Sequence, residues 1–221
     1  MSDTGQPPDT AIARKAALRA RALAARRALP DPVRAAAALR VQAALRAVLV
    51  GSAIGTVAGY QPFGTEPGGP DLPAVLAGWL PPGGRLLLPV VRPDRSLDWT
   101  RYRSGAVPSP TNPPGPRLGV SAIGSVGLVV VPALAVDRHG VRLGRGGGSY
   151  DRALARVPSG ATVVALLHDG ELRQEPLPAE PHDRPVAAVV TPGSGLEWIN
   201  RSRPGGEAGH APVVRPVTPR W

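Results

Sequence analysis

The chain of 221 residues contains no cysteine. This absence excludes disulfide bonds, thiolate zinc sites, iron–sulfur clusters and cysteine nucleophiles. The sequence also has no apolar run near the roughly 20 residues that a membrane-spanning helix needs. Hydrophobic residues nevertheless make up 43% of the chain, which is enough to bury a core. We therefore expect a soluble protein with no membrane partner, whose chemistry uses groups other than thiols.

Lysine is almost absent as well. Lys15 is the only lysine, and arginine supplies nearly all of the positive charge behind the formal net charge of +10. Arginine serves equally well at a solvated surface, so a single lysine suggests a position that needs the compact geometry of an ammonium group. A chance occurrence in a chain biased toward Ala, Gly, Pro and Arg is the alternative.

Aromatic residues are scarce, at 4% of the chain. A net charge of +10 and a basic C-terminal segment are compatible with nucleic-acid binding. However, the charge is spread along the chain, and so few aromatic rings are a poor supply of platforms for base stacking. We therefore expect no nucleic-acid partner, and nucleic-acid binding stays open only as an alternative function.

The distribution of apolar residues predicts one domain with a tail at each end. Residues 1–10 have no apolar pattern and lack the charged start and hydrophobic centre of a signal peptide. Residues 199–221 are rich in proline and glycine and have no periodicity. We predict disordered tails at 1–10 and 199–221, a single α/β domain at 11–198, and a cytoplasmic location.

Helical and extended patterns follow one another between the tails. The helical patterns lie at about 11–29, 33–50 (with Asp31 as N-cap and Pro32 as the first helical residue), 71–80 and 149–157. Five short apolar runs without polar alternation predict strands that are covered on both faces, at 54–60, 86–91, 128–136, 162–167 and 186–191. This order predicts a three-layer α/β fold with a mainly parallel sheet and helices on both faces.

A glycine-dense loop lies between a predicted strand and a predicted helix, in the sequence VPALAVDRHGVRLGRGGGSYDRAL at 131–154. Backbone amides at 144–148 can approach an anion closely, and the helix that begins near Ser149 adds a partial positive charge. Side chains that can clamp a phosphate or hold magnesium surround the loop: Arg142, Arg145 and Arg152, with Asp137 or Asp151. We predict a phosphate site here, and a merely flexible loop is the alternative.

The loop matches neither of two common phosphate-binding motifs. A Walker A loop needs a lysine after its glycines, and Lys15 is the only lysine. The dinucleotide pattern GxGxxG fails because Ser149 stands where the third glycine belongs, and because polar residues separate the strand from the glycines. Asp169 follows the glycine loop at about the sequence separation of the acidic residue that binds the ribose in dinucleotide sites. A dinucleotide-dependent enzyme therefore stays open as an alternative.

Two further features can contribute to such a site. Lys15, Arg19 and Arg26 fall on nearly one stripe of the first predicted helix, where three cations can bind a triphosphate or simply be solvated. The loop GYQPFGTEP at 59–67 follows the first predicted strand. Open α/β folds bind ligands at the carboxyl ends of their strands, so Glu66 can face a substrate.

The four histidines give no sign of a metal site. His139, His168 and His182 are far apart and show no ligand spacing such as HExxH. We expect His168 and His210 to lie at the surface.

Taken together, these segments resemble the 5-formyltetrahydrofolate cyclo-ligase family, whose members are also called methenyltetrahydrofolate synthetases. Four segments carry the resemblance in the family's order: KAALR at 15–19, Tyr60 with Glu66, VPALAVDRHGVRLGRGGGSYDR at 131–152, and a closing segment of Gln174 followed by LPAEPHDRPVAAVVTP at 177–192. The segment at 131–152 resembles the family's most specific motif. The matches span nearly all of the predicted domain.

The resemblance implies a fold and a reaction. The fold is Rossmann-like, of the NagB/RpiA/CoA transferase-like kind. The reaction uses ATP and magnesium to convert 5-formyltetrahydrofolate to 5,10-methenyltetrahydrofolate, with release of ADP and phosphate. It proceeds by phosphorylation of the formyl oxygen and attack by folate nitrogen 10, so positioning and charge neutralisation suffice and no covalent nucleophile is needed. We expect a monomeric ligase whose partners are the folate and ATP.

The resemblance also implies residues that handle the phosphates. Lys15 and Arg19 would hold the ATP phosphates from the first helix, and Arg145 would stabilise the transferring phosphoryl group. Lys15 and Arg145 are therefore the catalytic candidates. Further ATP contacts are expected from Arg142, Gly144, Gly146, Gly147, Gly148, Ser149, Tyr150 and Asp151, and Asp151 is also the candidate magnesium ligand.

On the folate side, the resemblance implies that Tyr60, Glu66 and Tyr150 contact the pterin or its formyl group. Asp137 and Asp183 are expected to fix loop geometry instead. Two positions depart from the family pattern: Ser149 replaces a residue that is often aromatic, and Gly127 replaces an acidic residue. We expect that either departure can alter the folate pocket.

Overall fold

The computed structural model describes residues 8–50, 52–105, 113–180 and 183–199. The predicted tails therefore lie largely outside the described residues, as do His182 and His210. The first helix begins before the predicted position, because Pro8 to Thr10 are already helical.

Four α-helices and ten strands are found in this part of the chain. The helices are α1 (Pro8–Ala28), α2 (Asp31–Leu49), α3 (Leu72–Gly78) and α4 (Ser149–Leu154), with a 3-10 helix at Val120–Ser125. The strands are β1 (Thr56–Ala58), β2 (Arg85–Val91), β3 (Leu97–Arg101), β4 (Leu128–Pro132), β5 (Ala135–Asp137), β6 (Arg142–Leu143), β7 (Thr162–Leu166), β8 (Leu172–Arg173), β9 (Ala188–Thr191) and β10 (Gly195–Trp198).

Seven of these strands form the main sheet, in the order β10-β9-β7-β4-β1-β2-β3. The four central pairings, from β9 to β2, are all parallel. The two edge strands, β3 and β10, are antiparallel to their neighbours. The predicted α/β fold with a mainly parallel sheet is thus confirmed.

Helices cover both faces of the main sheet and bury two separate cores. On one face, α2 and α3 contribute Val41, Leu45, Leu49, Leu72 and Leu76. On the other face lie Ile123 of the 3-10 helix, Leu154 of α4 and Trp99 of β3. Because each central strand is buried on both sides, its sequence is a continuous apolar run rather than an alternating one. The layered arrangement is therefore the one that the strand patterns predicted.

A second, three-stranded sheet has the order β6-β5-β8. The prediction of one continuous strand at 128–136 is wrong, because this stretch forms two strands in different sheets. β4 ends at Pro132 in the main sheet, and β5 begins at Ala135 in the small one. The direction changes because Ala135 packs in a separate apolar cluster with Leu143 and Leu177. The partly buried Leu18 of α1 packs against this cluster, so the first helix contacts the small sheet.

The start of α2 also differs from the prediction, by one residue. The N-cap is Pro30, and Asp31 is already helical. Asp31 forms an ion pair with Arg34 within the first turn, where a negative charge is favoured by the helix dipole.

Among the described residues, no helix combines the length and the apolar composition that crossing a bilayer requires.

Candidate active site

A cavity of about 600 Å³ opens at the carboxyl ends of the central strands. Tyr60 follows β1, Pro132 ends β4, Val91 ends β2, and all three line the cavity. The chain runs from β1 to β2 on one side and returns to β4 on the other, which makes this edge a topological switch point. Ligands of open α/β sheets bind at such points, and the volume suits a small-molecule site.

All of the predicted site residues line this one cavity. They are Lys15, Arg19, Tyr60, Glu66, Arg142, Gly144, Arg145, Gly146, Gly147, Gly148, Ser149, Tyr150 and Asp151. The structure brings them together from α1, from the loop after β1, and from the stretch that runs from β6 through the glycine loop into α4.

Arginine side chains lie close over the glycine loop. Nε of Arg19 donates to the carbonyl oxygen of Gly144 at 2.9 Å. A Cβ at Gly144 would lie 2.7 Å from Nη1 of Arg142, and one at Gly146 would lie 3.4 Å from Cζ of Arg19. Gly146 also has a φ of +99°, which L-residues with side chains rarely adopt. Since α4 has only six residues, the arginines supply most of the positive charge here.

The cationic stripe of α1 faces the cavity rather than bulk solvent. Nζ of Lys15 lies 3.2 Å from Oε1 of Glu180, and the lysine side chain is 18% exposed. Arg26 is only 1% exposed and donates from Nε and Nη2 to the two carboxylate oxygens of Glu171, at 2.7 Å each. The two acidic partners, Glu171 and Glu180, were missed by the sequence interpretation.

Arg142 joins the loop to the first turn of α4. It forms an ion pair with Asp151, and its guanidinium lies over the ring of Tyr150, 5.6 Å from the ring centroid. Burial raises the pKa of Tyr150, the nearby Glu66 raises it further, and Arg142 opposes both. The Tyr150 hydroxyl therefore stays protonated at neutral pH and can donate a hydrogen bond to a ligand.

Glu66 contacts the residue predicted to act on the phosphoryl group. Its Oε1 lies 3.2 Å from Nε of Arg145, and its Oε2 accepts the backbone N–H of Phe63 at 3.0 Å. Burial raises the pKa of Glu66 above its ordinary value, while the Phe63 amide and Arg145 lower it in part. The predicted phosphate and folate sides of the site therefore meet at this ion pair.

Tyr60 holds the loop that carries Glu66. Its buried hydroxyl donates to the carbonyl oxygen of Pro67 at 2.6 Å. Burial raises the pKa of this hydroxyl well above its ordinary value, with Glu66 as a smaller cause. Tyr60 thus lines the cavity with its ring while its hydroxyl is engaged by the loop.

An apolar wall also lines the cavity, and it was not predicted from the sequence. It consists of Phe63, Pro89, Val91 and Leu97. Phe63 is 59% exposed, which is unusual for such a large apolar ring. A planar ligand ring that stacks on it would remove this surface from water. The motif GYQPFGTEP, in which Phe63 stands three residues before Glu66, carried the available signal.

Several other predicted roles can be compared with the structure. Asp137 fixes a turn, as predicted: its carboxylate accepts the backbone N–H groups of His139, Val141 and Leu177. Asp183 accepts the N–H of Glu180 at 2.8 Å. Both act as acceptors for loop amides, in agreement with the role expected of them.

Two other expectations are corrected by residue positions. His168 is not at the surface, because it is 5% exposed at the end of β7; the run of apolar residues before it continues into the core. Gly127 precedes β4 and packs near Ile54, at the opposite end of the strand from Pro132, which lines the cavity. Gly127 is therefore not part of the cavity wall, whereas Ser149, the other position that departs from the family pattern, does line the cavity.

The residue that favoured a dinucleotide site has another function in the structure. Oδ1 of Asp169 accepts the backbone N–H of Gly193 at 2.8 Å, and Asp169 is not among the described residues that line the cavity. The geometry thus gives the dinucleotide alternative no support.

Within the described residues, no three acidic or histidine side chains cluster in a way that could hold a metal by themselves. Asp151 is a partly exposed carboxylate in the cavity wall. Magnesium commonly binds through one or two carboxylates together with phosphate oxygens and water. The donor set therefore fits an ion that arrives with a phosphate ligand.

The fold and the cavity define an α/β enzyme with a cationic small-molecule site at the switch point of an open sheet. Comparison with known proteins gives the family. Residues 11–192 match the model of the 5-formyltetrahydrofolate cyclo-ligase family. The chain belongs to this family, and the prediction of a ligase of folate metabolism is confirmed.

Individual relatives agree with this assignment. The 5-formyltetrahydrofolate cyclo-ligase of Mycolicibacterium smegmatis (strain ATCC 700084 / mc(2)155) is 42% identical over 193 residues, which cover 82% of this chain and 95% of the relative. The 5,10-methenyltetrahydrofolate synthetase of Aquifex aeolicus superposes with a TM-score of 0.62 at 25% identity, over 89% of this chain and 98% of that one. The Mycoplasma pneumoniae synthetase shares the fold, with a TM-score of 0.62 at 21% identity over 79% and 96% of the two chains.

Proposed function

We propose that this enzyme uses ATP and magnesium to cyclise 5-formyltetrahydrofolate to 5,10-methenyltetrahydrofolate, releasing ADP and phosphate. One observation carries the proposal: a single cavity is lined by two sets of residues, a glycine- and arginine-rich set, here called the phosphate half, and an apolar, carboxylate-bearing set, here called the folate half. The first half suits a triphosphate and the second suits a pterin. The proposal agrees with the activity named for the relatives.

The phosphate half is built from two separate parts of the chain. Lys15 and Arg19 come from α1, and the loop amides come from the segment at 144–148. Arg19 also binds the carbonyl of Gly144, so the helix is already fixed against the loop before a ligand arrives. Such preorganisation lowers the cost of placing positive charge around a triphosphate.

Arg145 stands where the two halves meet and is the candidate for stabilising the transferring phosphoryl group. In the first step, the formyl oxygen attacks the γ-phosphorus, so an O–P bond forms and the bond to ADP breaks. In the second, nitrogen 10 attacks the formyl carbon, the C–O bond breaks as phosphate leaves, and nitrogen 10 loses its proton. Because Arg145 pairs with Glu66 at 3.2 Å, its guanidinium lies beside the proposed position of the formyl group.

The folate half offers recognition of both the ring and its polar edge. Phe63 can stack on the pterin, Glu66 can accept from its N–H groups, and Tyr150 can donate to an oxygen. Magnesium would be held by Asp151 together with the phosphates, and it would neutralise negative charge on them.

The proposal is tested by mixing the purified protein with 5-formyltetrahydrofolate, ATP and magnesium. The ultraviolet absorbance of the methenyl product should rise only when all three are present. Omission of each component in turn is the control. If ATP binds and is not consumed with this folate, the proposed substrate is wrong.

Replacement of Gly146 by alanine should raise the KM for ATP about tenfold. The side chain strains a backbone at φ +99° and approaches Arg19, and a cost of roughly 1–2 kcal/mol corresponds to about this factor. Gly83→Ala is the matched control, because Gly83 has a φ of +81° with open space around it. The control should lose stability and keep the KM for ATP; equal KM values in the two variants would contradict a role of the loop in nucleotide binding.

Replacement of Glu66 by glutamine should remove the acidic limb of the pH profile of kcat/KM for the folate. Burial raises the pKa of Glu66, so the carboxylate gains a proton at a higher pH than an ordinary glutamate would. As the pH is lowered, the wild-type kcat/KM should therefore begin to fall at a pH above the pKa of an ordinary glutamate. An acidic limb that is unchanged in E66Q would assign it to another group.

A further inference from the structure

The peptide bond that leads into Glu66 is held at both of its polar atoms. Its carbonyl, from Thr65, lies 3.0 Å from Nε2 of His168. Its N–H, from Glu66, donates to the carbonyl oxygen of Phe63 at 3.2 Å. On the other side of Glu66, the carbonyl of Pro67 accepts the Tyr60 hydroxyl. The direction of the Glu66 side chain is therefore set by bonds on both sides.

His168 is the member of this set that comes from a distant part of the chain. It is buried just beyond β7 and reaches across 103 positions of sequence to Thr65. Because a carbonyl oxygen can only accept, Nε2 must carry the proton of the ring in this arrangement. The ring thus acts as a fixed donor to the loop after β1.

His168 is held in turn by a buried ion pair. Its backbone N–H donates to Oε2 of Glu171 at 2.8 Å, and the same carboxylate binds Arg26 of α1 through two hydrogen bonds. Arg26 also donates to the carbonyl of Ala133, at the junction of the two sheets. A continuous set of hydrogen bonds therefore joins the helix that carries Lys15 to the loop that carries Glu66.

We propose that His168 is a positioning residue, which fixes the Glu66 carboxylate in the folate half of the cavity and is itself held by the Glu171–Arg26 pair. This inference rests on the proposed function. His168 touches neither substrate in this role, since its donor is used by the Thr65 carbonyl. Its loss should therefore weaken folate binding selectively and leave the nucleotide half intact.

The kinetic test compares His168→Leu with His168→Gln. Leucine removes the donor, whereas the terminal amide of glutamine can place an N–H near the position of Nε2. We expect the KM for 5-formyltetrahydrofolate to rise about tenfold in H168L, with the KM for ATP within about twofold of wild type, and H168Q to recover most of the loss. His139→Leu, at an exposed histidine, is the control and should change neither constant.

Other patterns overturn the proposal. Equal rises of both KM values would show a general structural effect, an unchanged folate KM would show that the donor is not needed, and failure of H168Q to recover would exclude the hydrogen bond as the cause.

A second measurement on the wild-type protein needs neither activity nor a folded variant. In ¹⁵N-histidine-labelled protein, His168 should be the Nε2–H tautomer with slow exchange of that proton. The Nδ1–H tautomer would overturn the proposal. If the wild type makes no methenyl product, the proposed function fails, while the tautomer still decides whether His168 holds the loop.

Discussion

Replacement of Arg145 by alanine is expected to lower kcat about 10³-fold, the lower end of the range for an arginine that stabilises a transferring phosphoryl group. The side chain is 46% exposed and borders the cavity next to Glu66. It can therefore turn toward a phosphoryl group without breaking a packed core. We expect the KM for ATP to change much less than kcat, because the other cations keep the ground-state phosphates bound.

Single-turnover measurement of methenyl formation separates this effect from product release. Arg173→Ala is the matched control, because Arg173 is a partly exposed arginine paired with Glu175 at 3.2 Å and is not among the described cavity residues. The control should keep the wild-type rate. A kcat for R145A within about threefold of wild type would assign the stabilisation of the phosphoryl group to another residue.

Replacement of Lys15 by alanine should lower kcat/KM for ATP by about 10²- to 10³-fold. Lys15 presents an ammonium group to the cavity from α1, with Glu180 as its partner. Removing the lysine deletes a positive charge from a partly buried site where it is only weakly screened by water. Arginine at this position should restore the charge and only part of the rate, since its planar fork does not occupy the place of a compact ammonium group.

Arg21→Ala on the same helix is the control for Lys15. Arg21 is exposed, so its removal changes the net charge by the same amount away from the cavity. Initial rates over a range of ATP concentrations give the comparison. Equal losses of kcat/KM in the two variants would show that Lys15 acts only through the overall positive charge of the protein. Full activity of K15A would show that Lys15 has no role in the site.

The central strands of the fold were predictable because their sequences are continuous apolar runs. The run at 128–136 shows where this signal ends: its residues are equally apolar in β4 and β5, so the pattern does not reveal that the chain leaves one sheet for another at Ala133. The edge strand β3 was missed although the apolar, buried Leu97 and Trp99 alternate with the polar Asp98 and Thr100 along its sequence. Its alternating pattern was the unused signal.

The site residues were predictable for a different reason. The glycine loop and the stripe on α1 are local patterns, and the resemblance to the family joined them. Their partners were not predictable, because Lys15 and Glu180 lie 165 positions apart and Arg26 and Glu171 lie 145 apart. No local spacing indicates such pairs; only the packing of α1 against the small sheet brings them together. For the same reason, the burial of His168 was visible only in the folded chain.

The position of the single lysine in the cavity makes it a spectroscopic reporter. Since no other residue carries an ε-amino group, protein grown with ¹⁵N-lysine should give one side-chain signal, and that signal originates where Lys15 meets Glu180. Amine-selective reagents should likewise modify one side chain besides the terminal amine. Occupancy of the cavity can thus be followed during turnover without adding a probe or changing any residue.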